Sequence, residues 1–140
     1  METNAANVVD ICNTRHRILV RSPENSTKYF SANIIYILEC SVCCLQYVGE
    51  SKQPFHKRLT GHRSDLTKKS FLPVSQHFGL SDHSLEDFNR IKILVIKHVQ
   101  NCLWSDFERE NRERFWIKEL RVLHPDGINR KQYVFMYIFY

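Results

Sequence analysis

Ile34-Ile35-Tyr36-Ile37-Leu38-Glu39-Cys40-Ser41-Val42-Cys43-Cys44-Leu45-Gln46-Tyr47-Val48-Gly49 holds two short β-branched and aromatic runs, Ile34 to Leu38 and Gln46 to Val48. Between them lies a tight insert with three cysteines. Extended runs flanking a short insert predict a β-hairpin, and Cys40-x2-Cys43 predicts a metal knuckle at its turn. Each strand carries a tyrosine in its middle, Tyr36 and Tyr47. Gly49 is expected to end the second strand, and Pro54 suits the first turn of a helix containing Arg58 and His62.

Working outward, that helix is predicted from Ser51 to about Thr67, with Phe55, Leu59 and Leu66 as apolar anchors. Arg58 and His62 are four residues apart and share a face, which can look at the tyrosines. From Lys52 to Lys69 there are six basic residues (Lys52, Lys57, Arg58, Arg63, Lys68, Lys69) against Asp65 alone, so this segment carries the whole net charge of +5. Such a concentration is the electrostatic footprint of a phosphate-backbone contact surface, with Lys52, Lys57, Arg63, Lys68 and Lys69 as its contacts. Phe71 to Leu80 reads as a loop into a short helical turn, Ser84 to Asn89 as a connector, and Arg90 to Val99 as a buried third strand.

Ser105 with Glu108 has capping-box spacing, and a third helix is predicted from there to about Leu123. Glu113, Trp116, Ile117 and Leu120 fall at i, i+3, i+4 and i+7, so one carboxylate shares the apolar stripe. Burying it without a partner is costly; a metal would satisfy it, as would Arg58 or Arg112. His124 to Asn129 contains a Pro-Asp-Gly turn.

The chain has 140 residues, 43% of them apolar, which suits a single domain with a real core. Residues 1–31 show no sustained period and are expected to be a poorly ordered leader; 32–130 form the domain, and 131–140 an aromatic tail. No signal-peptide pattern or membrane-length apolar stretch is present, so the expected setting is intracellular. Five cysteines without a secretory signal favour thiols or metal ligands over a disulfide framework. Cys40, Cys43, His77 and His83 have spacing that a hairpin turn and a loop could bring together as a structural Cys2His2 zinc site, with Cys44 competing for the place of Cys43.

The order of these residues resembles the GIY-YIG nuclease superfamily. Ile34-Ile35-Tyr36 stands where the family has Gly-Ile-Tyr, and Tyr47-Val48-Gly49 where it has Tyr-Ile-Gly. Arg58 follows at the family's distance, Arg112-Glu113-Arg114-Phe115-Trp116-Ile117 resembles its third-helix motif, and Pro125-Asp126-Gly127-Ile128-Asn129 its closing turn. Ile34 departs from the family's first glycine. The hairpin cysteines with His77 and His83 look most like the branch carried by Penelope-like retroelements.

The resemblance implies a magnesium-dependent DNA endonuclease that leaves 5'-phosphate and 3'-hydroxyl ends. In that scheme Tyr36 or Tyr47 orients the attacking water and one of them takes its proton, with His62 assisting. Arg58 holds the scissile phosphate, Glu113 binds one magnesium ion and Asn129 positions the site by hydrogen bonding. It also implies double-stranded DNA as substrate, a nuclear setting, and a reverse transcriptase domain or related element-encoded protein as partner. The expected fold is α/β, a small three-stranded mixed sheet flanked by three helices, with a zinc knuckle in the hairpin. A zinc-stabilised nucleic-acid-binding module without catalysis is the rival reading, and a zinc-dependent protein-interaction domain a third.

Overall fold

The structure is a computed structural model and describes residues 30–98 and 104–130. Most of the predicted leader and the whole aromatic tail lie outside the described residues. The first strand, β1 (Ile34–Glu39), is buried at every position. It can be so because both its edges are paired and both its faces are covered. β2 (Gln46–Ser51) pairs on one side and β3 (Lys92–His98) on the other, giving the order β2-β1-β3.

Both pairings are antiparallel, so the sheet is antiparallel and not mixed as expected. The reason is topological. The short turn after β1 forces β2 to run back beside it. The helical segment after β2 then crosses over and delivers β3 parallel to β2, but on the far side of β1. The two parallel strands are therefore never neighbours.

Three helices follow β2: α1 (Phe55–Thr67), α2 (Pro73–Phe78) and the one-turn α3 (Leu85–Phe88). The last occupies the segment expected to be a plain connector, because Ser84 caps it by accepting from the Asp87 amide. With α4 (Asp106–Leu120) the described residues hold four helices, one more than expected. Boundaries also shift: α1 begins at Phe55 and not at Ser51, which belongs to β2. β2 continues past Gly49 to Ser51, and α4 stops at Leu120, where Arg121 takes a left-handed conformation (φ 53°) and turns the chain. The predicted capping box of Ser105 and Glu108 is present.

The period of two along β1 sorts the core into two layers. Ile34, Tyr36 and Leu38 face Phe55, Leu59 and Leu66 of α1, Val74 and Phe78 of α2, and Phe88 of α3. Ile35 and Ile37 face the opposite way, with Val48, toward Ile117 and Leu120 of α4. α4 packs mainly on β2, so this helix stands at the strand that carries Tyr47 and Gly49.

The free edge of β2 is closed by the turn after α4. Ile128 donates its amide to the Gln46 carbonyl at 2.8 Å. The Asn129 carboxamide then accepts from the Val48 amide and donates to the Val48 carbonyl, each at 2.9 Å. Gly127 is required in this turn because a Cβ there would meet the Val122 backbone at 2.3 Å. No described helix is long and apolar enough to cross a membrane.

Candidate nuclease site

Tyr36 and Gly49 are register partners across β1 and β2. Their approach is close: a Cβ on Gly49 would lie 2.4 Å from the Tyr36 hydroxyl and from the ring carbon that bears it. Glycine is needed here for space, since the Tyr36 phenol lies across the strand. The hydroxyl sits 2.7 Å from His62 Nε2 of α1, in a buried contact. Tyr47 completes the group, its ring 6.3 Å from that of Tyr36 and 5.7 Å from that of His62.

The electrostatics keep these groups neutral in the free protein. Burial pushes both tyrosine hydroxyls well above the ordinary phenol range, while the nearby Arg58 charge acts the other way. Burial, followed by the charge of Arg58, holds His62 down at about 3. A neutral imidazole at this position can accept the Tyr36 proton. Arg58 lies close enough for its charge to act on both tyrosine hydroxyls, so the predicted arginine stands beside the tyrosines.

Glu113 approaches from α4. Burial raises its carboxyl to about 8, with Glu50 and Glu110 adding repulsion and Arg58 and Arg114 opposing it. A half-buried carboxylate held near two others is short of positive charge. That is the condition a hard cation relieves, with water completing its oxygen shell. Tyr36, Tyr47, His62, Arg58 and Glu113 are thus brought together as predicted. Asn129 is not among the reacting groups; it clamps the backbone of β2 between Tyr47 and Gly49.

The predicted phosphate contacts Lys52, Lys57, Arg63, Lys68 and Lys69 are all exposed, Lys52 before α1, Lys57 and Arg63 on it, and Lys68 and Lys69 just after it. Arg63 is also engaged within the domain. Its Nε donates to Asn89 Oδ1 at 3.1 Å and its guanidinium lies 5.7 Å from the centre of the Phe88 ring.

A second cluster joins Cys40 and Cys43 of the hairpin turn to His77 of α2 and His83 of the loop before α3. One ligand atom from each lies within 4.8 Å of all the others. Ligands of a tetrahedral metal with N and S donors stand about 3.3–3.8 Å apart. Cys43 Sγ and His77 Nε2, at 3.4 Å, already meet that spacing. His83 offers the clearest sign of a missing partner. Asp82 Oδ1 lies 2.8 Å from its Nδ1, while its buried Nε2 has no hydrogen-bond partner. A carboxylate behind a histidine with the far nitrogen free is the arrangement that orients a metal ligand. Cys44, the competitor of Cys43 in sequence, is excluded because its sulfur is taken up in a disulfide.

One buried charged side chain beside the site escaped the sequence reading. Arg109 of α4 is 5% exposed, yet it is charged. It donates to Asn33 Oδ1 at 3.0 Å, to Asp106 Oδ1 at 2.7 Å, and through Nε to Glu50. Its signal in sequence is faint, an arginine one helical turn before Glu113 in a helix full of charges.

A strand-strand-helix arrangement with two tyrosines, a glycine, an arginine and a helix carboxylate at one sheet edge defines a class of nuclease scaffold. Residues 32–124 match the family described as GIY-YIG catalytic domain, and the chain belongs to that family. Among solved structures it is similar to the catalytic domain of the homing endonuclease I-TevI, at 25% identity and a TM-score of 0.52. That likeness covers 68% of this chain and 94% of the other. No curated protein matches the chain.

Proposed function

We propose that this chain is a magnesium-dependent DNA endonuclease that hydrolyses one phosphodiester bond at a time, leaving 5'-phosphate and 3'-hydroxyl ends. The observation that carries the reading is the Tyr36–His62 contact at 2.7 Å beside Arg58 and Glu113. Membership of a nuclease family and the likeness to a homing endonuclease catalytic domain support it.

In this mechanism Tyr36 holds the attacking water and passes its own proton to His62 Nε2 as it takes one from the water. The entry of a phosphate anion favours the transfer, because negative charge nearby raises the basicity of an imidazole held low by burial. Tyr47 packs against both rings and fixes their orientation. Arg58 holds the scissile phosphate and stabilises the charge that builds on it. Glu113 would hold the magnesium ion, which supplies neutralisation of the leaving 3'-oxygen. Lys52, Lys57, Lys68 and Lys69 bind flanking backbone phosphates.

Cys40, Cys43, His77 and His83 fit zinc, whose preference for thiolate and imidazole suits this donor set. Its role there is structural, since four protein ligands leave no open position. From the likeness of the cysteine and histidine set to the Penelope-like branch, we further propose descent from a retroelement nuclease that acts in the nucleus beside a reverse transcriptase.

The test is nicking of supercoiled plasmid by the purified protein, with magnesium or with EDTA, beside Glu113→Ala and Arg58→Ala. Magnesium-dependent conversion to the open circle, lost by at least about a hundredfold in each variant, is the expected result. A wild-type protein that retards the plasmid and never nicks it with any divalent metal would leave DNA binding alone.

A further inference from the structure

We infer that Arg109 is a positioning residue for this nuclease. By tying Glu50 and Asn33 to the first turn of α4, it sets Glu113, one turn further along that helix, where it can hold a cation facing Tyr36 and Arg58. The inference rests on the nuclease reading of Glu113.

The argument begins with cost. An arginine this deep gives up its hydration, and only well-placed acceptors offset the loss. Here they come from three separate parts of the fold: Asn33 immediately before β1, Glu50 near the end of β2, and Asp106 at the start of α4. The planar fork of a guanidinium meets three acceptors at fixed angles, which a lysine cannot do. The side chain therefore fixes both the rotation of α4 and its separation from the two strands.

Position makes that fixing relevant to chemistry. Arg109 and Glu113 are four residues apart and lie on one face of α4. Glu50 directly follows Gly49, the residue over which the Tyr36 phenol passes. The bond from Arg109 to Glu50 thus joins helix to strand next to the reacting groups, in a helix whose strand contacts are mainly with β2. It also neutralises Glu50, a carboxylate close enough to repel Glu113. Without Arg109, α4 keeps its apolar anchors Ile117 and Leu120 but loses the polar tie that sets Glu113 against β2.

The test uses the 140-residue chain prepared with zinc, and manganese ion as the probe, with free Mn2+ followed by electron paramagnetic resonance. Wild type is compared with Glu113→Gln, Arg109→Met and Arg109→Lys, each shown by circular dichroism to be folded. Expected are binding lost in Glu113→Gln and a dissociation constant raised on the order of tenfold in both Arg109 variants, the size usual for a support behind a metal ligand. Nicking at saturating manganese should recover toward wild type in Arg109→Lys, so that the defect lies in metal affinity and not in turnover. Binding that is unchanged or tighter in the folded Arg109 variants would overturn the inference while leaving the nuclease reading intact. Should Arg109→Met fail to fold, Arg109→Lys carries the test alone. If Glu113→Gln binds manganese as wild type does, the assigned role of Glu113 fails, and the inference with it.

Discussion

At the scale of single residues, burial shifts the pH at which the groups of the site exchange their protons, and Glu113 is the one whose charge it changes near neutral pH. Glu113 shows the consequence for folding. Its carboxyl is raised from 4.5 to about 8, so between those values the folded chain keeps a proton that the unfolded chain has lost. Stability therefore falls as pH rises through that window. Without magnesium, wild type should lose about 2 kcal/mol between pH 5 and pH 8, a figure set well below the full conversion of the shift. Glu113→Gln should lack that part of the slope, as read from urea unfolding at both pH values. Equal slopes in the two proteins would mean that the carboxylate is not held protonated.

Some of this was legible in the order of residues and some was not. The two tyrosines, Arg58, His62 and Glu113 were, because their order along the chain resembles the family's, while the helix period only put Arg58 with His62 and set Glu113 on the apolar stripe. Arg109 was not, because Glu108, Arg109, Glu110, Arg112, Glu113 and Arg114 alternate in charge so closely that nothing local marks which one is buried.

At the scale of elements, the sheet edge matters as much as the helices. β2 is an outer strand of the sheet, and Asn129 satisfies the two backbone groups of Val48 that would otherwise face outward. Asn129→Ala leaves a buried donor and a buried acceptor without partners, which should cost about 3 kcal/mol in chemical denaturation. Activity at low temperature should fall as well, since Val48 sits between Tyr47 and Gly49. A variant as stable as wild type would show that water replaces the carboxamide. The sequence suggested a hydrogen-bonding role for this residue, yet Asn129 and Val48 are separated by 81 positions and no local pattern reports the pairing. Strand direction was obscured for a related reason. Arg90 to Val99 read clearly as a strand, but which neighbour it meets is decided by the crossover through α1 to α3 and not by its own residues.

At the scale of the whole molecule, the Cys2His2 cluster joins parts of the chain that the sequence separates. Cys40 and Cys43 belong to the first hairpin, while His77 and His83 come after α1. Their spacing was readable; their convergence depended on α2 folding back over α1. Between α1 and α2, Lys68 and Lys69 are exposed and Lys69 already turns the chain with φ 57°. A specific protease site engineered between Lys69 and Ser70 should therefore be accessible without unfolding the domain.

Cleavage there, with the Cys44 disulfide reduced, would leave two pieces, and with zinc bound as proposed an ion would govern their reunion. One piece carries both thiols and the other both imidazoles, so zinc becomes a reversible rivet between them. Fragment affinity should drop on the order of a hundredfold with a chelator, or with Cys43→Ser, as read by size exclusion over a dilution series. Equal dissociation with and without chelator would show that the packed strands alone join the halves. With the expected result, cleavage by this scaffold could be assembled or dismantled by metal supply, as a split enzyme whose seam nature has already fastened.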